Sequence, residues 1–239
     1  DSGPSLTGTA IGAADKLTLD ESTGTTEQTA ATETASAVYT TTAGLHSTTA
    51  NFADNFAGVI DAGADGVGST TYALNLAAAT VGGTVASGMY AVAAGGGQGS
   101  ALNLYVDANG VYGATALGGT HYFDISVNTT TGVVTFSENT DAGVSIYNAT
   151  GGTGSFDEAA LLTVSGGTLN IVQTVTDKDG DALSASLSLG SGVFAIQDSG
   201  PSLTGTAIGA ADKLTLDEST GTTEQTAATE TASAVYTTT

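Results

Sequence analysis

The stretch LNIVQTVTDKDGDALSASLSL, residues 169–189, decides the fold. Leu169, Ile171, Gln173 and Val175 fall on one side of an extended chain, and Asn170, Val172, Thr174 and Thr176 on the other. After Asp177-Lys178-Asp179-Gly180-Asp181 the alternation resumes, with Leu183, Ala185, Leu187 and Leu189 opposed to Ser184, Ser186 and Ser188. Successive side chains of a strand point to opposite faces, so two period-two runs joined by a short Asp/Gly turn predict a β-hairpin. One apolar face and one serine face predict that its second strand is half buried.

Working outward, the same pattern returns at Tyr72, Leu74 and Leu76, at Leu102, Leu104 and Val106, and at Phe123, Ile125 and Val127. Val134 with Phe136 and Val144 with Ile146 continue the series. Turn signals such as Asp107-Ala108-Asn109-Gly110 and Asn128-Thr129-Thr130-Thr131-Gly132 separate them. Apolar residues make up 40% of the chain and they alternate, which is not the composition of disorder. Glu, Lys, Gln and Arg are too scarce to cover helix surfaces. The expected fold is therefore all-β: an Ig-like sandwich with Greek-key connections, built either as one large domain or as two sub-sandwiches. The one helical signal is Ser155-Phe156-Asp157-Glu158, a capping-box start that predicts a single turn within residues 155–162. Residues 22–50 are rich in Thr and Ala without clear alternation, and read as an edge region, a long loop or a linker. Val38 and Tyr39 give that segment something to bury, and predict that it is ordered.

Residues 1–42 recur letter for letter at residues 198–239, an offset of 197. A tandem array, sampled over one period and the start of the next, accounts for this. The expected units are residues 1–197 and the beginning of an identical unit at 198–239, with neighbouring repeats as partners end to end. Asp198-Ser199-Gly200-Pro201 marks the boundary, because proline fixes φ and withholds an amide donor while glycine permits a sharp turn.

Charge narrows the possible partners. The duplicated block holds six acids and one lysine, so removing one copy from the 24 acids and three lysines leaves 18 and two, a formal charge of −16 per period. Such a surface repels polyanions, which excludes nucleic acid and anionic membrane surfaces as partners. Its natural complement is a divalent cation, and Asp, Glu and carbonyl oxygens favour Ca²⁺. Without cysteine, neither disulfides nor thiolate metal sites contribute. No apolar run approaches the roughly 20 residues of a spanning helix, so membrane insertion is not expected.

Catalysis has little to work with. His46 and His121 stand apart, and neither lies in a Ser, Cys or Asp pattern of known catalytic geometry. Gly95-Gly96-Gly97-Gln98-Gly99 lacks the lysine of a phosphate loop and reads as a hairpin loop. No enzymatic activity is expected. Asp177, Asp179 and Asp181 alternate across a tight turn and are offset by Lys178 alone, which points to Ca²⁺ as readily as to an ordinary Asp-Gly turn. An EF-hand would place Glu eleven residues after Asp177, where Ser188 stands, so the loop is of another kind. Asp198 at the boundary, with Asp20-Glu21 and their copies Asp217-Glu218, supplies acids that could converge on a calcium junction between units. Asp61 and Asp65 form a third ligand-like pair in a Gly-rich loop that equally suits a solvated turn. Isolated threonine runs at residues 40–42 and 129–131 are too few for an ice-binding ladder.

The order Asn51-Phe52-Ala53-Asp54-Asn55-Phe56, Gly63-Ala64-Asp65-Gly66-Val67-Gly68-Ser69 and Tyr72-Ala73-Leu74 resembles the large tandem repeats of type I-secreted RTX adhesins of Gram-negative bacteria. So do Val175-Thr176-Asp177-Lys178-Asp179-Gly180-Asp181 and Asp198-Ser199-Gly200-Pro201-Ser202-Leu203. The resemblance runs from about Leu17 to Leu203. It implies β-rich extender units that project a ligand-binding tip from the cell surface, where a host-cell or surface ligand is bound elsewhere in the full protein. It also implies secretion from a C-terminal signal and folding outside the cell in millimolar Ca²⁺. Carried over, the ligands are Asp177, Asp179 and Asp181, with Asp198 at the junction. The boundary here reads Asp-Ser-Gly-Pro where the family often has two adjacent acids, and residues 22–50 have no counterpart, which leaves room for an extra subdomain.

The expectation is thus an extracellular, calcium-stabilised extender in an adhesin or surface fibre active in biofilm or cell adhesion. Two other readings stand beside it. One is a filament subunit that completes a neighbour by strand addition with residues 198–239. The other is a module that itself binds a glycan or host surface, for which exposed loop aromatics would speak; most Tyr and Phe here lie within alternating strands.

Overall fold

Twelve strands and one 3₁₀ turn, at Ala53–Phe56, make up the described secondary structure. The structure is a computed structural model, which describes residue 11 and residues 15–20, 46–56, 65–77, 84–139, 141–148 and 159–197. The chain divides into Asp1–Pro201 and Ser202–Thr239, and every described residue belongs to the first.

The first six strands are β1 (Leu17–Asp20), β2 (Ser47–Asn51), β3 (Val67–Leu76), β4 (Val85–Val92), β5 (Gln98–Val106) and β6 (Val111–Ala114). They are followed by β7 (Phe123–Val127), β8 (Val133–Glu138), β9 (Ala159–Leu161), β10 (Leu169–Asp177), β11 (Ala182–Ser188) and β12 (Phe194–Gln197). One layer is a six-stranded sheet in the order β2-β8-β7-β6-β5-β4, in which β4 to β8 follow one another as an antiparallel meander. Two three-stranded sheets, β11-β10-β3 and β1-β12-β9, make up the rest. Apolar side chains of all three sheets share one core. Phe136 of β8 meets Phe194 of β12 edge-on at 5.2 Å, and Phe123 meets Phe136 at 5.7 Å. Fully burying a residue of this size is worth about 1.5–3 kcal/mol, so a core of this extent stabilises the sandwich without disulfides. The all-β sandwich is as the alternation foretells, and most of its buried apolar positions pack as one core, with Tyr105, Tyr112 and Ala114 in a small separate cluster.

The hairpin that decides the fold is present as β10 and β11, in continuous register from Asn170 opposite Ser188 to Thr176 opposite Ala182. Leu169, Ile171, Gln173 and Val175 are buried, as their parity requires. On β11 the alternation is shallower. Leu183 remains 38% exposed, because β11 is an edge strand with a neighbour on one side only. The turn between β4 and β5 passes through the glycine run, closed by the Ala93 N–H on the Gly97 carbonyl at 2.9 Å.

Three local expectations change. Ala159–Leu161, read as part of a helical turn, is strand β9, hydrogen-bonded to β12. The ladder with β12 and full burial of the adjoining Leu162 favour the extended chain there. Residues 155–158 lie outside the described residues. Val144 and Ile146 belong to no regular strand; Ile146 makes a single bridge to Ala91 at the edge of the bulged β4. Within residues 22–50, Ser47 to Ala50 belong to strand β2, whereas Val38 and Tyr39 fall outside the described residues. Among the described residues no helix is long and apolar enough to cross a membrane.

Candidate metal centre

Strand β10 delivers the first of the three candidate aspartates. Counting by twos from Leu169 places Asp177 on the buried face, and its side chain is 4% exposed. A buried carboxylate needs hydrogen-bond donors. Here Asp177 Oδ1 accepts from the backbone N–H of Gly180 at 2.9 Å and of Asp181 at 2.8 Å. The Asp177 N–H in turn donates to the Asp181 carbonyl at 2.9 Å, which closes the loop on itself. Gly180, at φ +105°, turns the chain where a side chain would be strained. Asp179 and Asp181 are exposed, and one carboxylate oxygen of each of the three aspartates lies within 4.8 Å of the others.

Carboxylates this close offer the hard oxygen donors that a divalent cation such as Ca²⁺ takes. Three carboxylates supply charge and half of a six-oxygen shell, and carbonyl groups or water complete shells of this kind. The chemistry on offer is cross-linking of a turn by a hard cation.

β3 shapes this corner, a contribution that the sequence conceals. The β3–β10 ladder slips between Thr176 and Asp177, so that Asp177 pairs with Val67. At that slip a Cβ on Gly68 would lie 2.5 Å from the Asp177 carbonyl oxygen, so only glycine admits so close an approach. Lys178 Nζ reaches to 3.9 Å from the place of a Cβ on Gly66, which sets the Asp65-Gly66 turn beside the aspartate loop. Asp65 is therefore near the loop but not among its clustered ligands. Asp61, Asp198, Glu21, Asp217 and Glu218, together with the side chain of Asp20, lie outside what is described.

The histidines have other settings. His46 is exposed, and its carbonyl accepts from the Glu138 N–H at 2.9 Å. His121 Nδ1 lies 2.7 Å from Asp124 Oδ1, and its ring stacks on Tyr112 at 3.7 Å. Tyr112 Oη accepts from the Gly118 N–H at 3.0 Å, so the stack fastens the β6–β7 connection to the outer side of its sheet. The His-x-x-Asp spacing was visible in the sequence, but the fold of the intervening residues was not. An open depression is lined by Ile11, Lys16, Ser188 and residues 190–193, and Lys16 brings a positive charge to it.

Residues 16–190 match a protein family described as Domain of unknown function (DUF5801). The chain belongs to that family. The matched span contains the three clustered aspartates of the β10–β11 turn and ends before the boundary at Asp198. No curated protein and no solved structure matches the chain.

Proposed function

We propose that this DUF5801 unit is an extracellular structural repeat, an extender that converts repeat number into reach in a bacterial adhesin or surface fibre of the RTX type. The verbatim return of residues 1–42 at residues 198–239 carries the reading, because selection for stacking along an axis favours near-identical units. An all-β unit rich in non-local strand pairs, without cysteine, suits a load-bearing element whose cross-links are ionic. Calcium at Asp177, Asp179 and Asp181 ties the end of β10 to the start of β11 and cancels the repulsion of the turn. The acidic surface keeps neighbouring identical units from associating side by side.

The test is mechanical. In chains of four or more periods, small-angle scattering in Ca²⁺ and in EGTA reports contour length and stiffness. The proposal expects a longer, stiffer particle in Ca²⁺ and a higher melting temperature. Identical dimensions and melting temperature in the two conditions sink it.

A further inference from the structure

One side of the β11 main chain has no partner. The β10–β11 ladder is bounded by the Leu189 N–H on the Leu169 carbonyl at 2.8 Å and the Asp177 N–H on the Asp181 carbonyl at 2.9 Å. Hydrogen-bonded pairs alternate in an antiparallel ladder, so in this continuous register Leu183, Ala185 and Leu187 bond to β10. Ala182, Ser184, Ser186 and Ser188 then direct their N–H and C=O groups away from the sheet. Among the described contacts no main-chain bond reaches those groups. Other edges are covered: the Tyr72 N–H of β3 donates to the Thr129 carbonyl at 2.9 Å, and the Val92 N–H of β4 to the Ser145 carbonyl at 2.9 Å. Edge strands are commonly guarded by charge, proline or a bulge. β11 reads Ala-Leu-Ser-Ala-Ser-Leu-Ser, without charge or proline, and keeps its register without a bulge.

Charge selects the occupant. Copies of a chain of net charge −21 repel one another, and a neutral strand edge is where they can meet. The two ends of that edge are also complementary. Asp179 and Asp181 precede it, and beyond it Ser188 lines the open depression to which Lys16 brings a positive charge. Antiparallel pairing of two copies sets each end against the opposite end of the other. We propose that β11 is a homotypic docking edge, to which β11 of a second copy of this chain adds antiparallel about a two-fold axis at Ala185. Ser184 and Ser186 then exchange main-chain hydrogen bonds with Ser186 and Ser184 of the second copy. Leu183, 38% exposed, meets Leu187 of the second copy on the core side, and the aspartates face the Lys16 depression at both ends. Acid elsewhere on the surface confines side-by-side contact to this line. The edge lies inside the period, so every unit of an array carries it, and contact between arrays is multivalent. Neither calcium nor the array is required, so the single chain is tested in EGTA.

Cysteine substitution reads the register, since the chain has no cysteine of its own. Ala185→Cys places two Cα atoms at a non-hydrogen-bonded pair, about 4.5 Å apart and within reach of a disulfide. Leu183→Cys is more exposed, yet its two copies lie about 13 Å apart along the strands, too far for one. Under mild oxidation Ala185→Cys is expected to give a covalent dimer and Leu183→Cys is not; any other pattern overturns the proposal. In light scattering the wild type is expected to pass from monomer to dimer as concentration rises. Ser186→Pro should weaken the dimer at least about tenfold, because its N–H faces outward and proline there removes no bond to β10. Lys16→Glu, which sets acid against the aspartates of the second copy, should weaken it about tenfold as well. Both variants are expected to melt with the wild type. A wild type that stays monomeric up to its solubility limit, or either variant dimerising as tightly as wild type, overturns the proposal. Should Ser186→Pro fail to fold, the cysteine pair decides.

Discussion

Replacing Asp179 by Asn is expected to stabilise the calcium-free protein and abolish its response to calcium. Asp179 is the informative ligand because it is exposed and has no hydrogen bond among the described contacts, whereas Asp177 caps two backbone amides. Unit charges at the 4.8 Å limit of the cluster repel by about 0.9 kcal/mol per pair in water. The Asp179→Asn change removes two of the three pairs, about 1.7 kcal/mol before screening. Lys178, salt and the repulsion that persists in the unfolded chain reduce the net gain to about 1 kcal/mol. For a unit of this size that is about 2–4 °C in melting temperature. Calcium at 100 times its dissociation constant stabilises the wild type by about 2.7 kcal/mol, or about 5–11 °C. Differential scanning calorimetry in EGTA and in Ca²⁺ separates the two effects. The reasoning is refuted if the variant melts below wild type in EGTA, or if it keeps the wild-type calcium shift.

Two further predictions probe the supports of this corner. Gly68→Ala places a Cβ against the backbone of Asp177 and Thr176, which cannot rotate away; a loss of about 1–3 kcal/mol is expected from overpacking, with calcium affinity by titration calorimetry falling at least about tenfold as the slip at Asp177 is displaced. Tyr72→Phe removes the acceptor of Gln173 Nε2 at 2.7 Å in the core and should cost about 1–3 kcal/mol in urea denaturation. Adding Gln173→Met should recover most of that loss, because it also removes the buried Gln173 Oε1, which has no hydrogen-bond partner among the described residues.

The hairpin from Leu169 to Leu189 was legible because period-two alternation is a local property of the chain, and a shared strand face follows from it. The clustering of the three aspartates was legible for the same reason: they lie within five residues, and the turn between two strands brings them together. The recurrence of residues 1–42 at an offset of 197 needed no coordinates. Other features were decided by partners far away in sequence. Ala159–Leu161 is strand rather than helical turn because β12 offers it a ladder. The need for glycine at position 68 arises only where β10 closes on it, and the Tyr112–His121–Asp124 stack needed the β6–β7 connection to fold back. The sequence by itself determined which residues alternate, which acids cluster and which block repeats. Only the tertiary structure decided that Asp177 is buried while Asp179 and Asp181 are not, and that Leu17-Thr18-Leu19-Asp20 is a strand seated beside β12. Alternation and turn chemistry are written over a few residues, but burial and parallel pairing depend on which distant segments fill the other side.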